Sequence, residues 1–289
     1  MDRTLLAVTK QICRRLRISE PSTVIANTDR NVIEILQLIS DAGRDLRDSF
    51  AWPELQSEFT FTLTDGTANY PLPYDLNFIL YNTMWDRSST WPLIGPLDAS
   101  QWQERKSGIV SVLPRQRYRV KGFGTSQFYI DPTPGSGDTG KTLVFEYCNS
   151  TWIKPVTPFS TTYVATTGQY LYTNLNVYKV LVGGTTGSTE PTGLAPVSGT
   201  VNLLQYSYDT FLTDSDTIIL NVETLMDAVE WMWRRNNGFE YDDLKRDWTA
   251  KLDQSKTDLS SAGIVNFGRP STMTPLLGAW SIPDSGYGS

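Results

Sequence analysis

The sequence predicts an α+β fold in which helices from both ends of the chain form one bundle around a shared core. Three observations carry this prediction: apolar residues recur at helical spacing near the start, the periodicity changes to two after Pro53, and helical spacing returns at Val222. Because neither pair of helices can enclose a core alone, we expect both pairs to pack together. The predicted helical bundle comprises residues 1–52 and 222–262.

The first two helices are defined by apolar stripes and by their end signals. We expect one helix over residues 4–17 and a second over residues 29–49, where Asp29 can cap the first turn. Gly43 lies within the apolar stripe of the second helix. Because glycine has no side chain, we expect another helix to approach closely at that position.

The last two helices are predicted on the same grounds. Apolar residues at helical spacing begin at Val222, and residues 236–238, Asn-Asn-Gly, tolerate the left-handed backbone that ends a helix. A further helix is expected over residues 242–261. The folded part of the chain is therefore predicted to begin and to end with a pair of helices.

A β domain is predicted over residues 53–154 and 209–221. Residues 58–63 alternate apolar and polar side chains before an Asp-Gly pair, which predicts a hairpin with residues 69–72. The turn-forming residues 135–138 predict a second hairpin, and the other expected elements are strands at 78–85, 118–122, 127–130 and 142–149 and a short helix at 99–105.

Residues 155–208 differ in composition from the rest of the chain. Only Lys179 and Glu190 carry charge there, and Thr, Gly and Tyr dominate. Alternating segments at 169–172, 176–182 and 200–206 predict a small all-β module, inserted at a surface turn of the β domain. The glycine-rich residues 183–187 lack the lysine of a phosphate-binding loop, which favours a turn.

Four tyrosines make the inserted module a candidate contact surface. Their rings can stack on sugars or on a protein partner, although such tyrosines also form cross-strand pairs and small cores. Both interpretations stay open from the sequence. The candidate residues are Tyr170, Tyr172, Tyr178 and Tyr206.

The segment over residues 263–289 combines few charges with many apolar side chains. Arg269 and Asp284 are its only charged residues, and three prolines prevent a continuous helix. Its apolar residues are unlike a disordered polar tail and predict an extended docking arm that inserts into a neighbouring subunit or another protein. The alternative is a strap across its own domain. The expected anchors are Ile264, Val265, Phe267, Met273, Leu276, Leu277, Trp280 and Ile282.

Composition argues against several classes of function. The chain has no histidine, so it lacks the commonest general base and metal ligand. Its net charge of −6 disfavours tight binding to nucleic-acid phosphates. Cys13 and Cys148 are too few for a disulfide framework, and we expect both in the core. No window approaches the about 20 apolar residues of a membrane span. We therefore expect no cofactor, no metal and no membrane contact.

Paired carboxylates are the remaining candidates for catalysis. They are Glu54 with Glu58, Asp214 with Asp216, and Glu240 with Asp242 and Asp243. A glycosidase needs two such groups across a cleft. Acids at a helix start or in a turn are, however, common without any catalytic role. The arginines at 14, 15, 17, 234 and 235 could touch nucleic acid, but we expect most of them to pair with carboxylates or to cap helices.

Several segments together resemble the head-to-tail adaptor, or head-completion, proteins of short-tailed bacteriophages. The resemblance lies in the order and type of residues over 1–150 and 215–262, most clearly in Arg44-Asp45-Leu46, Trp52-Pro53-Glu54-Leu55, Phe59-Thr60-Phe61, Tyr70-Pro71-Leu72-Pro73-Tyr74-Asp75 and Trp231-Met232-Trp233-Arg234. Residues 176–191 are similar to small β modules appended to phage virion proteins, a class described as immunoglobulin-like or carbohydrate-binding.

This resemblance implies a structural, non-enzymatic virion protein at the head–tail junction, assembled in the host cytoplasm. Such adaptors form a homo-oligomeric ring, usually a dodecamer, beneath the portal protein. They extend the channel through which double-stranded DNA passes and carry tail proteins of the nozzle, hub or fibre. In several relatives a C-terminal extension docks into the portal, which agrees with the predicted arm. The alternative is a tail-associated protein that binds glycans or degrades peptidoglycan.

Overall fold

The computed structural model describes residues 3–107, 116–122, 127–173 and 176–259. Within these residues the chain forms five α-helices and several antiparallel sheets, so the predicted α+β class is confirmed. The predicted docking arm over residues 263–289 lies outside the described part of the chain.

The helices begin and end close to the predicted positions. Asp29 caps α2 by accepting a hydrogen bond from the Asn31 amide, and Asn221 caps α4 in the same way. Arg17 ends α1 in the left-handed conformation, with φ 58°. The five helices are α1 (Leu5–Leu16), α2 (Arg30–Ser49), α3 (Ala99–Ser107), α4 (Val222–Asn236) and α5 (Asp242–Leu259).

Helices from the two ends of the sequence share one apolar core. Leu5 of α1, Ile35 of α2 and Leu225 of α4 are all fully buried in it. Only one residue of α5, Leu252, is buried, and α5 rests on α4 along that side. The residue boundaries that we drew between domains stay a prediction.

Sixteen strands lie in the described residues. They are β1 (Gln56–Thr62), β2 (Asn69–Pro71), β3 (Leu76–Ile79), β4 (Trp85–Asp86), β5 (Trp91–Pro92), β6 (Arg117–Lys121), β7 (Gln127–Asp131), β8 (Thr142–Asn149), β9 (Ile153–Lys154), β10 (Val164–Ala165), β11 (Tyr170–Tyr172), β12 (Val177–Val182), β13 (Gly184–Thr185), β14 (Val197–Ser198), β15 (Val201–Gln205) and β16 (Thr217–Ile218).

Both predicted hairpins of the β region are wrong. β1 pairs with β8, from Gln56 opposite Cys148 to Thr62 opposite Thr142, whereas β2 pairs with β7. The turn after β1 does form, but the chain leaves it into a second sheet of order β2-β7-β6. The residues of a turn determine only the local backbone, whereas the choice of strand partner depends on packing across the whole fold. β8 is buried on both faces and lies inside its sheet, with β1 on one edge and β3 and β4 on the other.

β8 separates two apolar cores. Phe145 and Tyr147 face a β core built from both sheets, and Cys148 faces the helical core. Cys13 also lies in the helical core, so both cysteines are buried as predicted. The predicted strand over 78–85 is two short strands, β3 and β4, separated by a turn in which Asn82 has φ 62°.

The inserted residues form a compact β unit with its own small core. A four-stranded sheet of order β11-β12-β15-β14 and the pair β10–β13 enclose residues such as Leu171, Val180 and Leu203. The glycine-rich segment predicted as a turn contains β13. A side chain at Gly184 would collide there with Thr200.

The approach of another helix at Gly43 is also a wrong prediction. The ring of Trp152, which follows β8, occupies the space that a side chain at Gly43 would need.

Candidate interaction surfaces

Tyr178 belongs to the interior of the module. Its side chain is fully buried, and its hydroxyl donates to the carbonyl oxygens of Pro191 at 3.3 Å and Gly193 at 3.2 Å. Burial raises the pKa of Tyr178 to about 12. The contact hypothesis for the module therefore applies to the other three tyrosines.

Tyr170 and Tyr206 form an aromatic cluster where the module meets the helical core. The Tyr170 ring centroid lies 5.1 Å from those of both Tyr206 and Tyr208. The Lys179 ammonium stands 5.9 Å from the Tyr170 centroid and 5.8 Å from that of Tyr206. Burial raises the pKa of the Tyr206 hydroxyl. Most of this cluster packs between the module and the helical core. Tyr206, which is 38% exposed, lies at the edge of the cluster.

Tyr172 lines a cleft of about 350 Å³ on the module. The Lys154 ammonium lies 3.9 Å from the centre of the Tyr172 ring. The other lining residues are Pro158, Phe159, Ser160, Thr161, Thr173, Ser188 and Glu190. Aromatic rings beside hydroxyls and a carboxylate provide both stacking and hydrogen-bonding groups, which is the combination that a sugar would need.

A buried polar junction joins the module to the β region. Asp75, between β2 and β3, is fully buried, and its Oδ1 accepts hydrogen bonds from the Tyr147 hydroxyl at 2.9 Å and Gln205 Nε2 at 2.8 Å. The main-chain oxygen of Asp75 accepts from the Ser150 amide at 2.6 Å and hydroxyl at 2.9 Å. The Ser150 hydroxyl lies 2.6 Å from that of Ser207.

The candidate carboxylates Asp214 and Asp216 accept hydrogen bonds from backbone amides of neighbouring segments. Asp216 is almost fully buried and accepts hydrogen bonds from the Leu212 and Thr213 amides and from the hydroxyls of Thr213 and Tyr208. Asp214 accepts from the amides of Val24 and Ile25, before α2. These bonds give both carboxylates a structural role.

The other candidate acids, Glu54, Glu58, Glu240, Asp242 and Asp243, are all exposed at the surface. Glu58 pairs with Arg87 across the sheet, and Asp243 pairs with Arg246 one turn further along α5. Glu54 lies in a short 3₁₀ helix, and Asp242 begins α5. In the described part of the chain no group of three or more acids or cysteines is arranged to hold a metal ion.

Most arginines of the two predicted clusters are engaged with the protein itself. Arg14 pairs with Glu20, and Arg15 pairs with Asp227 of α4 at 2.6 Å. Arg234 pairs with Glu230 at 3.0 Å, and the Arg235 guanidinium lies 5.3 Å from the Trp231 ring centre. As predicted, Arg14, Arg15 and Arg234 pair with carboxylates, and the Arg15 pair joins α1 to α4.

None of the described helices combines the length and apolar character that crossing a membrane requires. The helical core, the antiparallel sheets and the β module packed against them define a mixed α+β protein. The sequence matches the SU10 adaptor protein family over residues 3–172, from the start of α1 to the end of β11. The chain belongs to this family and is a structural adaptor protein of bacteriophage virions, which confirms the resemblance seen in the sequence. A search of curated proteins found no match.

The sequence argument missed the Asp75–Gln205 pair. Asp75 follows Pro73-Tyr74, a context typical of a solvated turn, and gave no sign of burial. Gln205 did carry a signal, because it occupies the same alternating positions as the apolar Val201 and Leu203. A polar residue on an inward face needs hydrogen-bond partners, and the partners of Gln205 Nε2 are Asp75 Oδ1 at 2.8 Å and Asn176 Oδ1 at 3.0 Å.

Proposed function

We propose that the protein is a head-to-tail adaptor that forms a homo-oligomeric ring, a dodecamer, beneath the portal. The ring extends the DNA channel and carries the tail proteins, of the nozzle or hub and of the fibres. Family membership over residues 3–172 is the observation that carries this proposal. The role is non-enzymatic and lies in assembly.

The arm is the proposed portal contact. Residues 263–289 continue the chain beyond α5, which is fixed to α4 by the buried Leu252 and by a 3.0 Å hydrogen bond from Trp248 Nε1 to the Thr224 carbonyl. The helical core therefore provides a fixed base from which the apolar residues of the arm reach a partner. Their composition supports a hydrophobic docking site on the portal.

The charge of the chain suits a channel through which DNA moves. The net charge is −6, and Arg14, Arg15 and Arg234 already pair with acids of the same chain. A wall that offers few uncompensated cations releases few counterions on contact with DNA and so binds it weakly. DNA would pass without specific binding.

Mass photometry of the protein mixed with its portal ring tests the proposal. The full chain should form a complex with one copy per portal subunit, and the chain truncated after residue 262 should not. A full-length variant with Phe267, Leu276, Leu277 and Trp280 changed to Ala should fail likewise. The matched control changes Ser271, Thr272, Thr274 and Ser281 to Ala and should still assemble. Assembly by the truncated chain would contradict the arm, and failure of the full chain would contradict the adaptor role.

A second candidate function, glycan binding, is favoured by the cleft at Tyr172. Its lining by Phe159, Tyr172 and Glu190 suits a sugar ring. Calorimetric titration with fragments of host surface polysaccharide tests it. Tyr172→Ala should abolish binding, and Tyr81→Ala, a change to an 81% exposed tyrosine outside the module, should not. Absence of binding by the wild-type chain would exclude this function.

A further inference from the structure

The junction between the β region and the module contains two buried oxygens that lack hydrogen-bond donors. Asp75 Oδ2 and Gln205 Oε1 have no partner among the described residues. They belong to the two groups that already share the bond from Gln205 Nε2 to Asp75 Oδ1. An unsatisfied buried acceptor costs about 1–3 kcal/mol, so two on adjacent groups need an explanation.

An ionised Asp75 cannot supply the missing donor. A carboxylate and an amide oxygen are both acceptors only. No ion pair in the described part of the chain involves Asp75. The nearest cation on α2, Arg47, pairs with Asp48 and reaches only the Ser150 carbonyl, at 3.4 Å. An ionised Asp75 would therefore be a buried charge without a counterion. Burial thus favours the neutral carboxylic acid form of Asp75.

The other titratable groups that face Asp75 are tyrosines. Tyr147 of β8 donates its hydroxyl proton to Oδ1, and Tyr178 of β12 lies within electrostatic range. Burial raises the pKa of both hydroxyls, so both stay neutral and neither compensates a negative charge on Asp75. One proton on Asp75 Oδ2 would give Gln205 Oε1 its donor and remove the charge at once.

We propose that Asp75 and Gln205 form a proton-operated latch, in which Asp75 binds a proton from solvent at Oδ2 and donates it to Gln205 Oε1. The two groups then share two hydrogen bonds in a carboxylic acid–amide pair that holds the module on the β region. Loss of the proton leaves only the bond from Gln205 Nε2 to Asp75 Oδ1 and puts an uncompensated charge on the buried carboxylate. The latch is closed in acid and loosened in base.

The direction of the Asp75 titration agrees with this geometry. Burial raises the pKa of Asp75 from its ordinary value of 3.8 to about 6, against the lowering effect of its hydrogen bonds. The native state therefore keeps a proton between pH 4 and 6 that the unfolded chain has released. Stability from this group is therefore fully present below about pH 4, is lost progressively as the pH rises from 4 to 6, and is absent above that range.

Urea unfolding of the wild-type chain and of Asp75→Asn, at pH 5 and pH 8, tests the latch. The asparagine amide can donate to Gln205 Oε1 at every pH and carries no charge. The folding constant of the wild type, divided by that of Asp75→Asn, should therefore fall about tenfold between pH 5 and pH 8. A ratio that does not change with pH would overturn the proposal, as would an Asp75→Asn chain that cannot fold at neutral pH.

Two measurements on the full chain make the test independent of that variant. Infrared spectra of protein with ¹³C-labelled aspartate should show a protonated carboxyl at pH 5.5 that is gone at pH 8. Hydrogen exchange, corrected for its intrinsic pH dependence, should accelerate in residues 201–205 over the same range. Absence of the carboxyl signal contradicts the latch. Stabilisation at pH 8 by Na⁺ or Ca²⁺ that requires Asp75 would assign the site to a cation instead.

Discussion

The ring of Trp152 packs directly against the backbone of Gly43. Trp152 belongs to the segment that follows β8 and is fully buried, and Gly43 lies in the C-terminal half of α2. A methyl group built on Gly43 would overlap the six-membered part of the indole. This contact joins the helical core to the end of the β8 strand, and it tolerates no side chain on the helix.

Gly43→Ala tests that contact. In an open helix position the change would stabilise by up to about 1 kcal/mol, because alanine is the better helix former. Here the overlap with Trp152 should outweigh that gain, and we expect a net loss of about 2 kcal/mol in the free energy of unfolding, measured in urea. Gly137→Ala is the control, since a side chain at Gly137 meets nothing within 4 Å. Equal stability of the two variants would refute the close packing.

Asp216→Asn should destabilise the protein by about 2–4 kcal/mol in the same measurement. The buried carboxylate accepts four hydrogen bonds, and an amide would set its own N–H groups against some of these donors. The matched control is Asp253→Asn on the exposed side of α5. Asp75→Asn should instead stabilise the protein at neutral pH, because Asp75 Oδ2 lacks a donor, whereas both oxygens of Asp216 accept hydrogen bonds. If the two buried aspartates respond alike, our description of one of them is wrong.

Cys13 and Cys148 should both resist thiol reagents in the native protein. Both side chains are buried, and burial raises the pKa of the Cys148 thiol to about 11 and also raises that of Cys13. Reaction with Ellman's reagent at pH 8 should release no rapid signal from native protein and two equivalents in guanidinium chloride. A rapid equivalent from the native chain would place one thiol at the surface.

Asp227 joins three helices, and its removal should loosen α5. Its two oxygens contact Arg15 of α1 and Lys251 of α5, each at 2.6 Å. Because the lysine is well exposed, Asp227→Asn should cost only about 1 kcal/mol at low salt, and less in 1 M NaCl. Asp243→Asn breaks an exposed pair within α5 and serves as the control. A loss that is independent of salt would argue against an electrostatic origin.

Helices were predictable from the sequence because their signals are local. Asp29 and the apolar stripe of α2 define that helix without reference to the rest of the chain. Strand pairing was not predictable in the same way. The turn after β1 is present, yet β1 pairs with β8 from about 80 residues away, because pairing between distant strands depends on tertiary packing that no local signal records.

Contact sites were harder to predict than elements. Four tyrosines of the module looked equivalent, but Tyr178 faces the inside of the sheet, and Tyr170 is covered by its neighbours. Asp75 and Gln205 meet only after the module has folded back, across 130 positions of sequence. A polar residue at an inward position, such as Gln205, was the one local signal of that junction.

Cryo-electron microscopy of the neck of the intact virion tests the central claim most directly. We expect a ring of this chain between the portal and the tail, with residues 263–289 traced into the portal and Phe267, Leu276, Leu277 and Trp280 in contact with portal side chains. The same map should show the module on the outer or tail-facing side. Location of the chain away from the portal, or residues 263–289 packed across their own subunit, would contradict the account.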